Sequence, residues 1–111
     1  MGWFDSKPVW REVEEPGLLP RLRKDQWVEV KVQGKTLLMV EVQGEVLAFE
    51  SRCPHEGYPL KNAKLEKGTL TCPMHGYCYS IKTGALIQPE TGNKLITFPV
   101  KVEDGTCFIK I

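Results

Sequence analysis

The stretch from Gln26 to Ser51 alternates in a way that leaves a chain few options. Val28, Val30 and Val32 fall on one face, while Glu29, Lys31 and Gln33 fall on the other. Such a period of two is the pattern of a half-buried antiparallel strand, whose successive side chains point to opposite faces of a sheet. Gln33-Gly34-Lys35 interrupts the pattern, "TLLMVEV" resumes it, Gln43-Gly44 interrupts it again and "VLAFES" follows. Strands joined at glycine-bearing turns predict a meander. A similar pair closes the chain: "ITFPVKV", the turn Glu103-Asp104-Gly105, then "TCFIKI". "VWREV" predicts a short first strand ahead of the loop "EEPGLLP". No segment carries a helical stripe with caps, and there is no internal repeat or low-complexity tract. The expectation is an all-β fold, an antiparallel sandwich or barrel.

Residues 51–92 break from that pattern. They are rich in Pro, Gly and Lys, and predict a loop-built subdomain inserted into the β framework. Residues 1–8 read as a loose arm, in which Trp3 and Phe4 either pack back on the domain or fray. At 111 residues the remainder, 9–111, is enough for one domain with a modest core. Fifteen basic residues against 14 acidic give a net charge of +1, which shows no bias toward nucleic acid. No apolar run approaches the roughly 18 residues that suggest a membrane span. The N-terminus lacks the apolar core of a signal peptide, so the cytoplasm is the expected compartment.

A reducing compartment changes the meaning of the four cysteines. In a small secreted protein they would suggest two disulfides; here metal binding is the better account. Both histidines of the chain sit just beyond a cysteine, in Cys53-Pro54-His55 and in Cys72-Pro73-Met74-His75, with sixteen residues between the two groups. Two Cys and two His can close a tetrahedral zinc site, but such sites usually pair Cys with Cys and His with His at short spacing. A mixed set suits a two-iron cluster, with two thiolates on one iron and two neutral imidazoles on the other. That replacement raises the potential above that of an all-cysteine ferredoxin.

From Trp10 to Ile111 the chain resembles the Rieske-type ferredoxins, small electron carriers of bacterial oxygenase systems. "AFESRCPHEGYPL" is similar to the first cluster loop and its lead-in strand. "GTLTCPMHGYCYSIKTG" is similar to the second loop, including Gly68, Pro73, Gly76 and the Lys82-Thr83-Gly84 turn, and "LITFPVKVEDGTCFIKI" to the closing hairpin. The resemblance implies the Rieske fold and a Rieske-type 2Fe-2S cluster held by Cys53, His55, Cys72 and His75. It implies a monomeric one-electron carrier, not itself an enzyme. The carrier would take electrons from a flavin-dependent reductase and pass them to a terminal oxygenase through the exposed edges of His55 and His75. Neither nucleic acid nor a membrane is an expected partner. A non-catalytic subunit of a larger oxidoreductase such as a nitrite reductase is one alternative, and a zinc-stabilised interaction module is the other.

The surrounding residues take roles in the same picture. Pro54 and Pro73 fix the backbone angle after each cysteine and remove an amide. Gly76, and Gly57 in the first loop, let the backbone approach cluster sulfur. Pro89 and Gly92 belong to a third covering loop. Respiratory Rieske proteins join their loops by a disulfide at positions occupied here by Tyr58 and Met74, so that cross-link is absent. Cys107 reads as a buried small hydrophobe beside Ile109 and Ile111, and Cys78 as a thiol without a role. Of the two hydroxyl donors found near high-potential clusters, the serine is replaced by Tyr77, while the tyrosine is present as Tyr79. Lys61, Lys64 and Lys67 lie close behind the first loop, in a family whose docking faces are often acidic.

Overall fold

In a computed structural model the described residues are 7–22, 27–53, 59–66, 68–72, 76–88 and 92–111. The alternating valines form β2 (Val28–Val32), with its valines buried and Glu29 and Lys31 exposed. It pairs antiparallel with β3 (Lys35–Val42), which pairs in turn with β4 (Glu45–Glu50). The meander read from the sequence is therefore present. Its turns explain the register. Gln33 and Gly34 have φ of 53° and 76°, and Gln43 and Gly44 have 52° and 82°. Positive φ at both central residues marks the turn whose twist matches that of the flanking strands.

The closing segment behaves differently from a simple hairpin. Pro99 cannot donate to a ladder, and it divides "ITFPVKV" into β9 (Thr97–Phe98) and β10 (Val100–Glu103). Strand β9 extends the meander sheet in the order β2-β3-β4-β9. Strand β10 turns through Asp104 and Gly105 into β11 (Thr106–Lys110). Together with β1 (Trp10–Glu12) these form a second sheet, in the order β1-β11-β10. Backbone pairing there extends to Val9, whose amide donates to the Ile111 carbonyl at 3.2 Å.

Two expectations need correction. The loop "EEPGLLP" leads into a five-residue helix, α1 (Leu18–Leu22), which buries Leu18 and Leu22. One i,i+4 pair is too short a stripe to read from sequence, and Pro20 is tolerated because it falls in the first turn, where amides lack intrahelical partners. In addition, β3 does not alternate between core and solvent. Leu37, Leu38, Met39 and Val40 are all buried, because the sheet is covered on both sides.

Leu37 and Met39 join Val28, Val30, Val32, Ala48, Leu18, Leu22, Cys107 and Ile109 in the core between the two sheets. Leu38 and Val40 face a second core with Phe49, Cys53, Leu60, Leu70, Cys72, Tyr79, Ile81 and Leu95. That second core belongs to the inserted segment. Where the sequence reads as loops, the structure adds a four-stranded antiparallel sheet, in the order β5 (Lys64–Glu66), β6 (Thr69–Thr71), β7 (Cys78–Ser80), β8 (Leu86–Gln88). The expected arm at 1–8 lies outside the described residues up to position 6, including Trp3 and Phe4; Lys7 and Pro8 are exposed.

Within the insert, Gly84 ties the turn after β7 to the segment that leads back to β9. The Leu95 amide donates to the Gly84 carbonyl at 2.8 Å, and the Gly84 amide donates to Ser80 at 2.7 Å. Gly84 has φ +81°, and a Cβ there would collide with the Leu95 carbonyl oxygen. Gly84→Ala is expected to lower stability by about 1–3 kcal/mol from backbone strain, with the steric conflict adding to it. A denaturant midpoint unchanged from the native protein's would contradict this reading.

Candidate metal centre

The residues that flank each Cys-His segment are drawn together by backbone hydrogen bonds. At the first, Arg52 bridges Pro59, and the Leu60 amide donates to the Ser51 carbonyl at 2.8 Å. Leu60 opens a short 3₁₀ turn (Leu60–Asn62) and is fully buried, which nails the returning strand to the floor. At the second, the Cys72 amide donates to the Tyr77 carbonyl at 2.8 Å, continuing the β6–β7 ladder in which Thr71 faces Cys78. A cysteine therefore stands at the entrance of each loop. His55, His75, Pro54, Pro73, Gly57, Tyr58 and Met74 lie outside the described residues, as do Lys67 and Pro89.

Cys53 and Cys72 are buried, and neither is in a disulfide. Both share the second core with Tyr79, which is fully buried. The Tyr79 hydroxyl lies 3.4 Å from Cys53 Sγ. Burial foremost, then the hydrogen bond to Cys53 and the nearby Cys53, Cys72 and Tyr77, push the phenol pKa well above the ordinary tyrosine value. Tyr79 is thus a neutral O–H held against a buried sulfur, with a second cysteine within its electrostatic reach.

The strand period explains this convergence. Leu70 and Cys72 share one face running out of β6, and Tyr79 and Ile81 share one face running out of β7. Antiparallel pairing of Leu70 with Tyr79 stacks the two faces together. Leu38, Phe49 and Leu60 close the apolar floor, with Trp27 packed edge-on against Phe49 at 5.9 Å between ring centroids. Reading the sequence for motifs missed Leu60, Leu70 and Trp27, although the alternation in "LTC" and "CYSI" already carries the signal for Leu70.

The other two cysteines are directed elsewhere. Cys107 lies in the core between the sheets. The half-buried Cys78 thiol donates to the Gly76 carbonyl at 3.4 Å, and its sulfur lies 3.5 Å from Thr71 Oγ1. Gly76 has φ +69°, and a Cβ there would meet no atom of the described residues within 4 Å, so backbone conformation is reason enough for glycine. A Cβ on Gly92 would crowd the Leu86 side chain and approach the Tyr77 ring.

This donor set fits an iron–sulfur cluster. Two buried cysteine sulfurs brought into one core, with the Tyr79 hydroxyl against one of them, supply the sulfur donors that such a cluster takes from protein. Among the described residues no group of three His, Cys, Asp or Glu side chains converges, since the two histidines are not among them. Residues 10–99 match the Rieske [2Fe-2S] domain, and the chain belongs to that family. Its cofactor is accordingly a Rieske-type 2Fe-2S cluster.

A ferredoxin component of a naphthalene 1,2-dioxygenase system from Pseudomonas aeruginosa is 39% identical over 110 residues, covering 98% of this chain and 95% of the relative. Human apoptosis-inducing factor 3 is 35% identical over 89 residues; the match takes in 80% of this chain but only 15% of that much longer protein. Among solved structures, the ferredoxin of Sphingomonas yanoikuyae B1 superposes with a TM-score of 0.70 at 28% identity, over 78% of this chain and 86% of its own.

Leu60 ties this geometry to stability. Leu60→Ala is expected to cost about 2–5 kcal/mol, as for other large-to-small core changes. Amide exchange at Leu60 and Cys72 should accelerate more than exchange in β2 and β3. Uniform acceleration throughout the chain would show that Leu60 supports the whole fold and not the loop base.

Proposed function

We propose that the protein is a one-electron carrier whose cluster is held by Cys53 and Cys72 on one iron and by His55 and His75 on the other. The cluster, when bound, takes up and releases a single electron without making or breaking a bond to substrate. In this reading the chain's own residues do three things. Cys53 and Cys72 bring thiolates to the loop entrances, and Leu38, Phe49 and Leu60 keep water from beneath them. Tyr79 donates its O–H to Cys53 Sγ. The end-to-end match with an oxygenase-system ferredoxin is the observation that carries the proposal.

The reaction partners in this reading are a flavin-dependent reductase and a terminal oxygenase, meeting a monomeric carrier in the cytoplasm at the exposed edges of His55 and His75. The match to a short part of a much longer human chain supports a second reading, in which the module works as part of a larger assembly. Co-purification from the native source separates the two.

The protein purified in air should be red-brown, contain two irons and two labile sulfides per chain, and show a reversible one-electron couple. A colourless protein containing one zinc would overturn the proposal. Cys53→Ser and Cys72→Ser should abolish iron content and visible colour, whereas Cys78→Ser and Cys107→Ser should retain both. Loss of the cluster from the Cys78 variant would refute the ligand assignment.

The Tyr79 hydroxyl also bears on the potential. A donor to a ligand sulfur stabilises the more negative, reduced state and so raises the midpoint. One net hydrogen bond is worth about 0.5–1.5 kcal/mol, which for a one-electron couple is roughly 20–65 mV. Tyr79→Phe should lower the midpoint by that amount and leave the visible spectrum nearly unchanged. An unmoved midpoint would reduce Tyr79 to packing.

A further inference from the structure

We propose that the bases of the two cluster loops form a cationic collar that docks a carboxylate-rich face of the electron-transfer partner. The inference rests on the electron-carrier reading and adds the chemistry of the surface that the carrier recognises. Three exposed cations occupy the collar: Arg52, Lys61 and Lys64. Arg52 immediately precedes Cys53 and bridges Pro59 across the first loop base. Lys61 sits in the 3₁₀ turn that follows that base. Lys64 is registered opposite Thr71, the residue before Cys72. Backbone pairing thus places Arg52 and Lys64 beside the two cysteine entrances, with Lys61 in the turn that lies between them in sequence.

Among the described residues Lys61 makes no ion pair, and the charge of Lys64 is only weakly offset. From Arg52 to Lys64 the sequence holds a single acidic residue, Glu56. Lys64 pairs with Glu66 at 3.3 Å, but the two side chains are 75% and 64% exposed, and such surface pairs are weak and screened. Lys82 belongs elsewhere, since it reaches Glu45 of the meander at 3.4 Å.

The charge is also sorted along the molecule. Residues 52–94 carry six basic and three acidic side chains, whereas the rest of the chain carries nine basic and eleven acidic. A net charge of +1 therefore conceals a positive cluster end on a negative framework. Steering depends on the local field at the contact patch, and that field speeds association with a surface of opposite sign. A partner lined with carboxylates is drawn to this end, and one lined with lysines is turned away.

The test uses the native, cluster-loaded protein and two probes of known charge. In a titration with poly-L-glutamate at low salt, the largest amide shifts are expected at Arg52, Lys61 and Lys64, and they should vanish as salt is added. Stopped-flow oxidation of the reduced protein by ferricyanide moves one electron from protein to oxidant and yields ferrocyanide. Its rate should fall with ionic strength, and Lys61→Glu with Lys64→Glu should lower the low-salt rate by roughly tenfold, within the range of electrostatic steering. Lys101→Glu, on the framework, should leave the rate unchanged. Shifts centred on Lys101 and Lys110, or a salt dependence untouched by the double variant, would overturn the proposal. Absence of a reversible couple would instead defeat the electron-carrier reading, so the two failures are distinguishable.

Discussion

Strand β3 is the constraint on which the rest depends. Its four buried residues divide by parity, with Leu37 and Met39 on one side and Leu38 and Val40 on the other. One sheet therefore serves as a wall shared by two cores. A one-residue slip in the β2–β3 or β3–β4 pairing would exchange the two sets and spoil both cores at once. The two-residue turns at Gln33-Gly34 and Gln43-Gly44 guard against that slip by setting the register from each end of the strand.

The same division gives the candidate metal centre its rigidity. The floor beneath Cys53 and Cys72 is built partly from the back of the meander, through Leu38 and Phe49, and partly from Leu60 and Leu70 of the insert. Tyr79 completes the link, packing its ring into that floor and presenting its hydroxyl to Cys53. Its burial does two jobs, filling space in the core and keeping the phenol protonated as a donor.

Much of the framework was legible in the sequence because its signals are local. Valine alternation, the two Gln-Gly turns and Asp104-Gly105 each act within a few residues, and each appears in the structure as read. What escaped depends on distant partners. Helix α1 exists because Leu18 and Leu22 find the inter-sheet core, and β3 is doubly buried because an insert far along the chain covers its outer face. At the candidate site, the spacing pointed to Cys53 and Cys72, whose sulfurs share one core, and the Tyr79 hydroxyl lies 3.4 Å from Cys53 Sγ, while the two histidines lie outside the described residues. Leu60 and Trp27 were not legible, since nothing local distinguishes a floor residue from any other apolar side chain.

The inserted segment begins and ends at a single hydrogen bond. The Glu50 amide donates to the Ile96 carbonyl at 2.9 Å, so β4 leaves and β9 returns at almost the same place. Bringing the ends of such a segment together is an entropic cost of folding, but lengthening the segment costs only slowly more. The framework is in this sense a socket and the metal-binding portion a cassette. The cassette meets the frame through the second core, where Leu60, Leu70 and Tyr79 pack with Leu38, Val40 and Phe49, and its exposed side chains lie apart from that contact.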